Sequence, residues 1–259
     1  MTSTSPSGSS SKSVLLLKHL IFIGCFLILW EWCASKGWLD PSLFGRPSGI
    51  GAYLVEGFFT RGHLWLEMGY TVAGTVISFT LGSVAALMMG LLFTTYPAVE
   101  KAMEPYLTVL NAMPRFALVP LFLLWFGLGL SSKIAIGTSL SFFVVLANTV
   151  AGIRNVPQDF LTLSRSLGAT PSQLFFKVTL PSAVPVIFSG LRLALIFSLL
   201  GVVGGEIIAA EHGLGQTLAY LQANFHMDGV MALLFVLSGL GVAVTQGMAR
   251  LEKHLGRWQ

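Results

Sequence analysis

The sequence predicts an all-α membrane protein of six spans, on the strength of its composition, the length of its apolar runs and the spacing of its small residues. Of 259 residues, 54% are hydrophobic and only 10% charged, and the mean hydropathy is +0.78. A soluble domain carries about a quarter charged residues. Six runs, about 14–34, 68–93, 105–129, 134–153, 184–210 and 229–249, approach the ~20 apolar residues that cross a bilayer. Gly74, Ser78, Gly82, Ala86 and Gly90 recur every fourth residue in the second run, as Gly239, Ala243 and Gly247 do in the last, and Gly201 and Gly205 repeat the spacing in the fifth. Such ridges let helices approach closely, so they read as bundle packing.

The elements follow in chain order. Residues 1–13 are Ser-rich without apolar periodicity and are expected to form a disordered cytoplasmic tail. The first run could pass for a secretory signal, but Glu31, Trp30 and Trp32 occupy the place of the small residues a cleavage site needs. It is therefore read as an uncleaved span whose Lys18 and His19 snorkel to the interface. Cys25 and Cys33, the two cysteines, lie about 12 Å apart at 1.5 Å per helical residue, too far to bridge. A cytoplasmic N-terminus puts Lys12, Lys18, Lys101, Arg154, Arg165, Lys177, Arg250, Lys253 and Arg257 inside, and Lys36, Arg46, Arg61 and Lys133 outside. Nine against four predicts both termini inside. A net charge of +4 in so apolar a chain gives no reason to expect a nucleic-acid partner; membrane lipid is the expected surround.

This topology leaves residues 154–183 as the largest ordered cytoplasmic loop. Phe160, Leu163 and Leu167 share one face of a short helix that Pro157 starts and Gly168 ends in the left-handed conformation. Thr170-Pro171-Ser172-Gln173 reads as a capping box opening a second short helix, with Leu174, Phe175 and Val178 on its apolar side. Pro181 is expected to stop that helix and Pro185 to begin the fifth span. An amphipathic helix pair of this kind either lies on the membrane surface or docks into a partner's groove, and the residues alone leave both open.

Gly168, nine residues, Val178, one residue and Leu180-Pro181 resemble the EAA loop of permease subunits of ABC importers. The likeness runs from about Trp30 to the end. RPSGI from position 46, NAMPRFALVPLFLLWFGLG, LGATPSQLFFKVTLPSAVPVIFSGLRLAL, Glu252 and Trp258 look like the branch importing nitrate, taurine, alkanesulfonates and related small solutes. The resemblance implies a type I, MetI-like permease fold with cytoplasmic coupling helices in a bacterial inner membrane. It also implies a permease homodimer, a cytoplasmic ATPase in whose cleft the loop seats, and a periplasmic solute-binding protein. The coupling loop would then be Asp159, Thr162, Leu163, Ser164, Gly168, Val178, Leu180 and Pro181. The family's Glu-Ala-Ala triplet falls on Thr162, Leu163 and Ser164, so its glutamate is missing, with Asp159 the nearest acid one turn earlier.

The chain is read as a transport subunit and not as an enzyme. The closest approach to a phosphate-binding loop, residues 127–134, has Ser132 and Ile134 where that loop needs Gly and Ser or Thr. ATP and Mg are thus expected on the partner ATPase, and no cofactor on this chain. No Ser/His/Asp set or HExxH helix occurs. Glu206, Glu211, His212, His226 and Asp228 match no standard ligand spacing, so no metal is assigned and a solvated or partner-facing surface is expected there.

Intramembrane polar groups are the candidates for a solute pathway: Asn111, Arg115, Asn148, Arg192 and Glu206. Arg115, between Pro114 and Pro120, either sits near the midplane, where a guanidinium suits an oxyanion, or near the interface, paired with Glu104 or backbone carbonyls. Arg192 either lines the pathway or anchors the fifth span, and the two asparagines either line it or join neighbouring helices. A secondary transporter or channel driven by an ion gradient is the alternative, but it should show inverted repeats and midplane carboxylates. Nitrate, a sulfonate and a vitamin-precursor pyrimidine all stay open as solutes.

Overall fold

The computed structural model describes residues 8–255, so residues 1–7 and 256–259, with Arg257 and Trp258, lie outside the described part. Among the described residues every regular element is helical: α1 (Gly8–Ser35), α2 (Pro41–Phe44), α3 (Pro47–Val55), α4 (His63–Thr95), α5 (Pro97–Ala112), α6 (Val119–Phe126), α7 (Leu130–Arg154), α8 (Gln158–Ser166), α9 (Pro171–Leu174), α10 (Leu180–Ile208), α11 (Leu214–Ala223) and α12 (Met227–Leu255). Five helical runs are long and apolar enough to cross a membrane, and α5 with α6 makes a sixth if that bent pair is one span.

The chain divides into two compact units. In the unit of residues 63–219 and 235–259, α7 packs along both α4 and α10, which also touch each other. The predicted ridge on α4 is buried at all five positions. A side chain at Gly90 would collide with Thr149, and one at Gly137 would come within 2.6 Å of Ser78 Oγ. Backbones thus approach through missing Cβ atoms, and Ala86, Phe93, Val145, Leu146 and Ala194 fill the core beside them. The ridge on α12 does otherwise: among the described residues no neighbouring element lies within 4 Å of a Cβ placed at Gly239 or Gly247.

In the unit of residues 1–62 and 220–234, carboxylates hold the start of α3. Glu31 accepts from Ser48 N (3.0 Å) and Ser48 Oγ (2.8 Å), and Asp228 accepts from Arg46 N (2.6 Å). These amides have no partner inside a helix, and its positive end attracts the charge. The RPSGI segment is built around that contact, since any side chain at Gly49 would run into Asp228. Asp40 is spent locally, accepting from Ser42 N at 2.8 Å to cap α2. Asp40 stays exposed while it caps, whereas Asp228, expected above on a solvated or partner-facing surface, is half-buried against the start of α3.

Two spans differ from expectation. The third is not one helix over 105–129: α5 ends at Ala112, a 3-10 turn covers Arg115–Leu118, and the halves meet at 87°. Pro114 removes an amide and pushes Met113 into extended backbone (φ −68°, ψ 133°), so the helix cannot continue. Pro181 does not stop a helix either, because Pro171–Ile208 is one helical run. A π turn at Phe175–Thr179 bonds Leu180 N to Phe175 O, and Pro181 falls in the first turn beyond this register change. Residues 8–13, expected in the tail, begin α1.

Candidate functional site

Between α7 and α10 the chain forms a rigid corner. Pro157 leads into α8, and Gly168 (φ +79°) closes it: Gly168 N donates to Arg165 O (2.9 Å) and Ala169 N to Ser164 O (3.0 Å), the two bonds of a Schellman motif. Thr170 then opens α9 with the predicted box, Gln173 N donating to Thr170 Oγ1 (3.3 Å) and Thr170 N to Gln173 Oε1 (2.9 Å). With both ends capped, the corner carries Phe160, Leu163, Leu167 and Phe176 at 53%, 60%, 78% and 64% exposure. Asp159 and Thr162 are exposed beside them, Ser164 turns back onto Phe160 O (2.7 Å), and Val178, Leu180 and Pro181 lie half-buried at the junction with α10. Because α9 runs into α10 without a break, a push on the corner is delivered to a membrane span.

The break between α5 and α6 holds Arg115, half-buried. Its guanidinium lies 4.3 Å from the centroid of the Phe143 ring, and Nη2 donates to Asn111 Oδ1 at 3.3 Å. Neither expected partner is used, for Glu104 and the backbone carbonyls give way to an aromatic face and an amide. Asn111 and Phe143 also line a cavity of about 700 Å³, which the Glu100–Arg154 ion pair lines as well. Asn148 donates to Val144 O (2.8 Å) within α7 and fills the space opposite Gly190, so it joins α7 to α10. Arg192 pairs with Glu252, tying α10 to α12.

Glu206 belongs to a structural lock. It is 1% exposed and holds Lys133 (2% exposed) at 3.4 Å, accepts from Thr71 Oγ1 and Gly215 N at 2.9 Å each, and so binds α10 to α4, α7 and the start of α11. Lys133 Nζ also donates to His212 O, and Glu67 accepts from Gly213 N and pairs with His212, whose ring stacks on Tyr70 at 4.6 Å. The carboxylate is enclosed by these partners, so Glu206 closes the end of the bundle and does not face an open path. Counting charges in loops missed this, because Lys133 reads as an ordinary turn residue; the only sequence sign is that Gly213 and Gly215, where a Cβ would strike Glu206, flank the segment it holds.

Residues 78–257 match the family model of the binding-protein-dependent transport system inner membrane component. The chain belongs to this family. Of its relatives, a probable ABC transporter permease of Haemophilus influenzae is 32% identical, covering 89% of this chain and 93% of its own. The formylaminopyrimidine transport permease of Halalkalibacterium halodurans is 29% identical over 96% of this chain and 98% of its own, and a putative aliphatic sulfonates transport permease of Escherichia coli 30% identical over 89% and 87%. The inward-facing MetNI methionine ABC transporter shares the fold, with a TM-score of 0.62 at 22% identity over 74% of this chain and 95% of its own. This permease is therefore a membrane transport subunit of an ABC importer, all-α and MetI-like, and works in a system that includes an ATPase and a binding protein.

Proposed function

We propose that two copies of this chain form the translocation pathway of an inner-membrane importer, and that the α8–α9 corner is the joint to its ATPase. The observation that carries this is the exposed apolar set on a doubly capped corner continuous with α10. Docking would rest on Phe160, Leu163, Leu167 and Phe176 entering a cleft, with Asp159 supplying the acid that Thr162 lacks. ATP and Mg bind the partner, whose closure moves the corner and, through α10, the bundle. The unfilled α12 ridge at Gly239 and Gly247 supports a second copy as its neighbour. The charge count, with Lys133 withdrawn into the protein, supports both termini in the cytoplasm.

The solute proposed is a small anion of the nitrate, taurine or alkanesulfonate class, with Arg115 as its cation at the break. A pyrimidine is the second reading, favoured by the formylaminopyrimidine relative aligned over 98% of its length. Uptake of labelled sulfonate, nitrate and formylaminopyrimidine into vesicles holding this permease, its ATPase and its binding protein separates them. The anion reading expects Arg115→Gln to raise KM for the anion; uptake of pyrimidine alone overturns it.

A further inference from the structure

At the end of the bundle that carries the corner, α10 and α12 stand apart and leave a groove of about 590 Å³. Val184, Phe188 and Ala249 form an apolar wall, and Arg192, Glu252 and Lys253 form a polar rim. The rim has an excess of positive charge. Glu252 neutralises Arg192 through Nη2, while Lys253 has no ion-pair partner among the described residues. Arg192 Nε is shut off from solvent with no acceptor, although the side chain as a whole is 39% exposed. What an occupant of the groove can reach is the exposed part of the Arg192 side chain and not Nε, and an anionic oxygen is the strongest acceptor for a guanidinium. The last apolar run ends near 249 and the candidate span at Lys253, the level at which a basic side chain meets lipid headgroups.

We infer that this groove binds one anionic phospholipid, its phosphate between Arg192 and Lys253 and an acyl chain along Val184, Phe188 and Ala249. Charge complementarity selects the occupant: a neutral lipid leaves Lys253 uncompensated, and a free phosphate leaves the wall uncovered. The inference concerns the permease alone and is independent of the coupling role of the corner.

The test is native mass spectrometry of the intact permease extracted from phosphatidylcholine vesicles with and without phosphatidylglycerol, for wild type, Lys253→Gln and Arg192→Lys. One phosphatidylglycerol per chain should be retained by the wild type, and both variants, still folded by circular dichroism, should lose retention by about tenfold or more. Equal retention in wild type and Lys253→Gln overturns the inference, as does no retained lipid. Inorganic phosphate should not raise the melting temperature; stabilisation by phosphate without lipid retention would make this a free-anion site. Disulfide formation between Phe188→Cys chains would place a second copy in the groove and overturn the lipid assignment.

Discussion

The Lys133–Glu206 pair gives a test of how the closed end of the bundle is held. Both groups are almost completely buried and 3.4 Å apart. Removing one member of such a pair leaves the other charge buried and costs about 3–5 kcal/mol. Lys133→Met should fall near 3 kcal/mol, because Glu206 keeps Thr71 Oγ1 and Gly215 N, each at 2.9 Å. Glu206→Met should fall near 5 kcal/mol, since it orphans the ammonium and the Gly215 amide together. The double Met variant carries no orphaned charge, and its cost reduces to the Gly215 amide and the His212 carbonyl left without their partners, about 2 kcal/mol. Unfolding of all four proteins in mixed micelles titrated with SDS, followed by tryptophan fluorescence, measures the cycle. The double variant should be more stable than either single variant; if its cost equals the sum of the singles, the pair is not a coupled buried ion pair and the lock is wrong.

Three further outcomes follow from the geometry. Gly82→Ala should lower the melting temperature by several degrees, because its Cβ would strike Ser141 Oγ and come within 2.9 Å of Thr138 O, whereas Gly239→Ala, with nothing within 4 Å, should not destabilise the detergent-solubilised monomer. Thr170→Ala removes the acceptor of Gln173 N and should cost the corner about 1 kcal/mol, read as faster amide exchange over 170–174. Asp228→Asn should destabilise the start of α3 by about 1 kcal/mol, read as faster exchange of the Arg46 amide.

Much of this fold was legible in period and punctuation. The four-residue ridge on α4, the Gly168 corner and the Thr170 box depend on local rules, and each lies where the rule places it. Prolines were harder to read. Pro114 breaks its helix while Pro181 does not, because the preceding π turn has already shifted the register, and that turn leaves no mark in composition. The polar groups depended on distant partners. Nothing near Arg115 in sequence points to the Phe143 face, and nothing near Glu206 points to Lys133, so pathway and lock looked alike until the chain folded.

The proposed coupling to ATP rests on the α8–α9 corner as the power-coupling joint. Gly168→Pro is the decisive change, since proline holds φ near −65° and has no amide for Arg165 O, while the corner needs +79° and that bond. ATP-dependent uptake in vesicles containing permease, ATPase and binding protein should be lost, with the ATPase no longer co-purifying and the permease still inserted and folded. Unchanged uptake in that variant would contradict the coupling assignment and return an ion gradient as the source of power.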